Sequence, residues 1–271
     1  MRFLIFVFFL SFIPFTWAQD EDRNALLEDK FYFEAGIFIP QKSIKVGASG
    51  ESEDSEIDFD QTFGFNDNQI SPFLNLEWRW NTKWRLALEG FGVNNGAKAV
   101  LEEDIVFDGI TFEKGSSVKV GVDIAIIRVF VGRIISMGQK HSLGAGLGVH
   151  AMNIGAYIEA DINTSEGDLD EKRGSVNGLI PLPNIGGWYH WAPTPKWGFV
   201  ARVDWFGITI DQYSGGLWDI APGVKYQIIK NFGVGLDYRF FFLNARVTEG
   251  QFDGKFTMDF SGPLLTLHAN F

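Results

Sequence analysis

The chain of 271 residues contains no cysteine. A disulfide framework, a thiolate metal site and a cysteine nucleophile are therefore excluded. Methionine is scarce, at four residues, and there are only four histidines to weigh as bases. Long apolar runs are missing apart from one at the start. Residues 3–15 are apolar except for Ser11; Met1-Arg2 precedes them, and Thr16-Trp17-Ala18 leads into the acidic Gln19-Asp20-Glu21-Asp22. This is the pattern of a secretory signal peptide with cleavage near Ala18, too short and wrongly flanked for a spanning helix. No other segment approaches the length of a membrane helix, so no transmembrane helix is expected. A basic surplus is absent too. The net charge of −11 argues against nucleic acid and against attraction to anionic lipid surfaces.

What is present is aromatic, glycine-rich and alternating. Aromatics make up 15% of the chain, with 27 Phe, and there are 31 Gly. Aromatic girdles at membrane interfaces use such side chains, and Gly fits where strands crowd or bend. The last ten residues alternate: Pro263, Leu265, Leu267, Ala269 and Phe271 lie on one side, Gly262, Leu264, Thr266, His268 and Asn270 on the other. An apolar lipid face, a polar lumen face and a terminal Phe describe the closing strand of an outer-membrane barrel. Leu265, Leu267, Ala269 and Phe271 form the expected assembly signal.

The same period recurs near 31–40, 70–80, from 84, 117–134, 141–160, up to 191, from 197, 218–227, 232–242 and 255–271. Turn signals separate the segments, with short connections near 81–83, 136–140, 192–196 and 228–231. Long connections are expected near 42–68, 94–116, 161–178, 211–217 and 245–254. Only helices and closed barrels satisfy their backbone in lipid. The expected fold is all-β: a transmembrane antiparallel up-and-down β-barrel of about ten strands over 31–271. A signal peptide (1–18) and a short periplasmic segment (19–30) precede it. The expected location is the outer membrane of a Gram-negative bacterium. A soluble exported barrel is the other class, and the outward rows of Phe, Trp and Leu count against it.

Two places break the alternation. Arg128 shares parity with Val118, Val120, Val122, Ile124 and Ile126, which are assigned outward. A bulge near Ile127 is expected to turn it in, because a lipid-facing Arg at depth costs roughly 2–4 kcal/mol. Parity also slips near Gly262-Pro263, where a second bulge is expected. On these assignments the lumen is lined by Glu77, Arg79, Arg85, Glu89, Lys119, Asp123, His150, Arg202, Asp204, Asp219, Lys225, Asp237 and Arg239, with His268. Acids and bases nearly balance. Buried charges must pair, so either a cross-linked polar plug or a narrow small-solute pore follows, porin-like only in the loosest sense. Ten strands enclose a bore little wider than the side-chain-filled eight-stranded case.

Several stretches carry a family resemblance: Leu101-Glu102-Glu103-Asp104-Ile105 through Gly109-Ile110-Thr111-Phe112 and Gly115, Phe232-Gly233-Val234-Gly235-Leu236, Asp259-Phe260-Ser261-Gly262-Pro263, and Glu56-Ile57-Asp58 with Gly64. Together they resemble a family of proteobacterial outer-membrane barrels with no established activity. The resemblance implies fold and location over about 31–271, with no catalytic residue and no cofactor. Ten-stranded outer-membrane proteases hold Asp pairs and a His near the outer rim, whereas His190 and His268 here fall near the periplasmic turns and His141 lies beside one. The alternative reading is a hydrolase acting through His150, with Asp123 or Lys119 beside it, since a His–Asp contact suits general-base work.

The long connections are acidic. Glu51, Glu53, Asp54, Glu56, Asp58, Asp60 and Asp67 crowd the first, and Glu166, Asp168, Asp170 and Glu171 the third. No calcium-loop spacing is present, so no metal site is assigned. The expected partners are outer-membrane lipid and lipopolysaccharide, the assembly machinery, and divalent cations at the acidic loops.

Overall fold

A computed structural model of the chain describes residues 24–49, 55–58, 70–101, 104–107, 110–163, 169–249 and 252–271. The expected signal peptide and most of the acidic loop residues lie outside them. A single turn of helix, α1 (Ala25–Glu28), precedes the strands β1 (Phe31–Phe38), β2 (Gln41–Ser49), β3 (Ser55–Asp58), β4 (Ser71–Arg79) and β5 (Trp84–Val100). A small hairpin, β6 (Ile105–Phe107) and β7 (Ile110–Phe112), comes next. It is followed by β8 (Ser117–Gly138), β9 (His141–Asn163), β10 (Leu169–Trp191), β11 (Trp197–Ile210), β12 (Tyr213–Ile229), β13 (Phe232–Glu249) and β14 (Phe252–Asn270).

The wall strands pair antiparallel in the order β1-β4-β5-β8-β9-β10-β11-β12-β13-β14, β1 closes the ring on β14, and β6 and β7 pair only with each other. β1 and β2 share one register along β14, so they are two lengths of one stave. With β3 left as a flap on β2, the result is a closed antiparallel barrel of ten staves. Phe271 completes the closure: its N–H donates to Phe31 O at 2.9 Å, and Phe31 N–H returns a bond at 2.8 Å. Its ring meets Phe33 and Phe232 edge-on.

One end of the barrel has tight turns. Asn81 Oδ1 accepts the N–H groups of Lys83 and Trp84 at 2.8 and 2.9 Å, an Asx-type turn. Thr194 Oγ1 accepts Trp197 N–H at 3.1 Å. Where described, the connections at the other end are mostly strand. β9 and β10 run deep into 161–178, β2 and β3 into 42–68, and β5, β6 and β7 into 94–116. Only Asp211-Gln212 separate β11 from β12, with Asp211 at φ 49°. Asp tolerates that left-handed conformation, which a two-residue hairpin turn requires. The described parts of these expected long loops are thus extensions of the wall, apart from the separate β6–β7 hairpin.

Those extensions have inverted polarity. Following the inward-facing residues away from the turn end, every stave changes from polar to apolar within one or two inward steps. The pairs are Glu34 to Phe38, Asn75 to Phe73, Glu89 to Phe91, Arg128 to Ile126, His150 to Met152, Asn184 to Leu182, Asp204 to Phe206, Asp219 to Leu217, Arg239 to Phe241 and Thr266 to Leu264. The outward face changes the opposite way: Leu88 gives way to Asn94, Ala151 to Asn153, and Leu265 to Ser261 and Asp259.

Three expectations are corrected by this. Val118, Val120, Val122, Ile124 and Ile126 are buried inside the barrel rather than facing out. Lys119 and Asp123 therefore lie on the outer face, and neither lines the lumen. No bulge occurs at Ile127 or at Gly262-Pro263, because the registers of β8 and β14 run straight through both places. Register shifts fall instead at Ile134/Ser136 and Gln227/Ile229, beside the turn end. Away from these two shifts the alternation holds. What changes along each stave is the side on which apolar groups sit.

Candidate functional site

The lumen is a stack of packed layers. At its middle, Asp204 and Asp219 are fully buried. Asp204 accepts Arg128 Nη2 at 2.9 Å and Asn184 Nδ2 at 2.9 Å, and it pairs closely with Arg202. Asp219 accepts Arg239 Nε at 3.0 Å and Nη2 at 2.5 Å, and Arg202 Nη1 at 3.0 Å. Glu89 bridges Arg239 at 2.7 Å and Arg202 at 3.4 Å. These residues come from β5, β8, β10, β11, β12 and β13, so the network braces the wall across the bore. Bidentate Arg–carboxylate geometry gives both strength and direction.

Toward the turn end a second group forms. Lys225 pairs closely with Glu34 and bonds Asp237 at 2.6 Å, while Thr266 Oγ1 donates to Glu34 at 2.6 Å. His268 Nε2 lies 2.9 Å from Gln227 Oε1. Gln227 Nε2 donates to Asn270, and Asn270 Nδ2 donates to Asp29 Oδ2 at 2.6 Å. Arg85 pairs with Glu77 at 3.0 Å and stacks over Trp188, its guanidinium 3.9 Å from the ring centroid. The inward glycines make room for these groups: a Cβ at Gly144 would strike the Trp188 ring, and one at Gly223 would strike the Asp237 carboxylate.

A polar cavity of about 100 Å³ lies within this half, walled by Tyr32, Arg79, His190 and the network itself. Ligand pockets typically reach ~300–1,000 Å³, so this space suits a few waters and no substrate. α1 caps it: Leu27 is buried there, and Asn24 Nδ2 donates to Ala192 O at 3.3 Å and Thr194 O at 3.2 Å. Above the central layer, Phe241 touches the His150, Phe91 and Phe260 rings edge-on or stacked at 6.0–6.2 Å. An apolar cluster including Ile124, Ile126, Met152, Leu217, Leu243 and Met258 then fills the bore, with Leu101 and Phe112 toward its far end.

Eleven of the thirteen expected lumen residues face the interior; Lys119 and Asp123 are the two that do not. His150 therefore has no Asp123 beside it. It is fully buried, with Nδ1 3.2 Å from Asn184 Oδ1 and Nε2 3.3 Å from Asp219 Oδ2. His150, Asp204 and Asp219 cluster closely enough to suggest a metal ion. Their carboxylates, however, already hold three guanidinium groups, and a cation would have to displace them. A Ser136–His141 contact at 3.0 Å spans the β8–β9 turn. Among the described residues no carboxylate orients that His, so it lacks the third member of a hydrolytic set. All four histidines of the chain lie in the turn-end half.

The arrangement defines a closed ten-stranded barrel of the outer-membrane type with a packed lumen. No family model matches the chain, and no curated protein matches its sequence. Among solved structures it is similar to the outer membrane protease OmpT from Escherichia coli. The identity is 11% and the TM-score 0.54, over 89% of this chain and 97% of that one. It is more loosely similar to the toluene transporter TodX from P. putida, at 8% identity and a TM-score of 0.36, over 93% and 92% of the two chains. The first likeness bears on the fold alone, and the second is too loose to bear on either fold or function. The family resemblance in the sequence is supported as far as the barrel itself.

Proposed function

We propose that this chain is an integral outer-membrane barrel, sealed along its axis, that anchors the wall extension standing beyond the lipid. The observation that carries this is the balanced lumen. Six carboxylates (Glu34, Glu77, Glu89, Asp204, Asp219, Asp237) share it with six cations (Arg79, Arg85, Arg128, Arg202, Lys225, Arg239) beneath the apolar plug. A conducting path leaves wet charges, whereas each of these carboxylates is paired with a cation of the set. The structural reading is thus favoured over the small-solute pore. In this orientation the tight turns are periplasmic and the extended staves face outward. Lipopolysaccharide and divalent cations at the acidic segments, and the assembly machinery at Leu265, Leu267, Ala269 and Phe271, are the partners the reading proposes.

A hydrolase centred on His150 is disfavoured by its burial and by the absence of histidine from the outer half. Single-channel recording of the refolded protein in a planar bilayer tests the proposal. An inserted but silent barrel is expected; discrete conductance steps would overturn it. His150→Ala is expected to leave lipid and peptide turnover at background.

A further inference from the structure

The wall is split between β10 and β11. β10 and β11 pair only from Ile185/Trp205 down to Trp191/Phe199. Among the described residues no further pair joins them, although β10 continues upward as a strand on β9 and β11 as a strand on β12. Two prolines explain why. Ala192 N–H donates to Lys140 O at 2.8 Å, so the even residues of β10 bond toward β9. In an antiparallel strand the odd residues then turn their backbone toward the other neighbour. Pro181 and Pro183 are odd, so the edge facing β11 lacks two of the N–H groups that a ladder there needs. Continuing the register would set Pro183 against Gly207 and Pro181 against Thr209.

The split opens onto apolar groups. By alternation Ile180, Ile208 and Ile210 face inward, where core residues such as Ile126, Met152 and Leu217 are buried, yet they are 42%, 42% and 56% exposed. The outer lip on β10, made by Leu179, Pro181 and Pro183, is apolar and exposed, and it continues the lipid-facing row through Ile185. Trp205 stands on the opposite lip at the base.

We propose that this split is a lateral binding slot for the hydrocarbon chain of an outer-leaflet lipid, held open by Pro181 and Pro183. The occupant is hydrocarbon because the slot opens directly above the lipid-facing belt at Ile185 and Trp205, its β10 lip of Leu179, Pro181 and Pro183 stays apolar where the outward face of other staves turns polar, and Ile208 and Ile210 line it from β11. The chain lies between β10 and β11 against Ile180, Ile208 and Leu182. This goes beyond the sealed-barrel reading and fails separately from it: conductance reads the axis, whereas the slot is read from the side.

The absence of native cysteine makes a site-directed label clean. A nitroxide on Ile208→Cys, in phosphatidylcholine vesicles, is compared with one on outward Leu147→Cys and one on Thr82→Cys in a turn. Relaxation by oxygen, which partitions into lipid, is set against relaxation by a water-soluble nickel chelate. The expected result is an oxygen-to-nickel ratio at Ile208 close to that at Leu147 and several-fold above that at Thr82. In a Pro181→Val, Pro183→Val background the oxygen effect should fall several-fold as the ladder closes. A water-like ratio at Ile208 overturns the proposal by making the slot aqueous, and access to neither reagent overturns it by showing the wall sealed. Lipid access unchanged by the two valines overturns the role of the prolines. As a second readout, phosphatidylcholine carrying a photoreactive acyl chain should cross-link within 179–183 or 206–210, and its absence there counts against the slot.

Discussion

The two halves of the barrel share one hydrogen-bonded wall and obey opposite rules. In the turn-end half, Leu147, Val149, Trp205 and Phe240 face out while Arg128, Asp204, Asp219 and Arg239 face in. In the extended half, Ile124, Met152, Leu217 and Phe260 face in while Asp123, Asn153 and Glu159 face out or lie on the outer wall. A strand supplies two faces and nothing that names them inner or outer. The surrounding medium does that. Lipid takes apolar groups and forces polar ones to pair inside, whereas water takes polar groups and drives apolar ones together. The extended half is built like a soluble barrel standing on a membrane one.

The comparison is broken most severely at its centre. Asp219→Ala removes the carboxylate that holds Arg239, Arg202 and His150 together in a fully buried site. Stranding buried charges in this way costs about 3–5 kcal/mol. Urea unfolding in detergent should show that loss. A loss near ~0.5 kcal/mol, the scale of exposed ion pairs, would mean that water solvates the network and that the lumen is wet.

The alternation that builds the staves was legible in the sequence, and so were the barrel class, the tight turns and most of the inward charges. The inversion was not. Arg128 shares parity with Val118–Ile126, and a fixed outward apolar face leaves only a bulge to reconcile them; Gly262-Pro263 poses the same puzzle on β14. Both expected bulges follow from holding the apolar side constant along each strand. A signal was available: polar residues alternate with the apolar ones beyond Ile126 just as they do below, so the pattern reverses without losing phase. The network partners were beyond reach for another reason. His150 meets Asp219 from sixty-nine residues away, through a closure that spacing alone does not reveal. Pro181-Leu182-Pro183, by contrast, is plainly visible in the sequence, but its meaning depends on which neighbour the odd residues face.

A matched pair of substitutions on β9 sharpens the boundary. Leu147 and Asn153 both point outward, one on each side of the inversion. Leu147→Arg places a charge in the apolar belt and should cost about 2–4 kcal/mol. Asn153→Arg, in water, should change stability by no more than about 0.5 kcal/mol. Equal losses at the two positions would show that lipid reaches past the inversion and would dissolve the distinction between the halves.

The smallest effect belongs to an ion pair on the outer wall of the extended half. Glu159 accepts Lys119 Nζ at 2.8 Å and lies 3.6 Å from Arg173. The hydrogen bond from Lys119 holds its carboxyl below the usual carboxylate range. A depressed folded-state pKa gives a contribution that is present above the unfolded value and lost as pH falls through the folded one. Lys119→Ala should therefore move the NMR titration of Glu159 upward, toward its ordinary position. The unfolding midpoint at neutral pH should barely move, because water and salt screen such a pair. Any small difference from the parent should vanish in acid and in high salt. An unmoved titration would show that Lys119 does not hold Glu159. A large loss of stability at neutral pH would show that the outer wall here is shielded from water, contrary to the polarity assigned to this half.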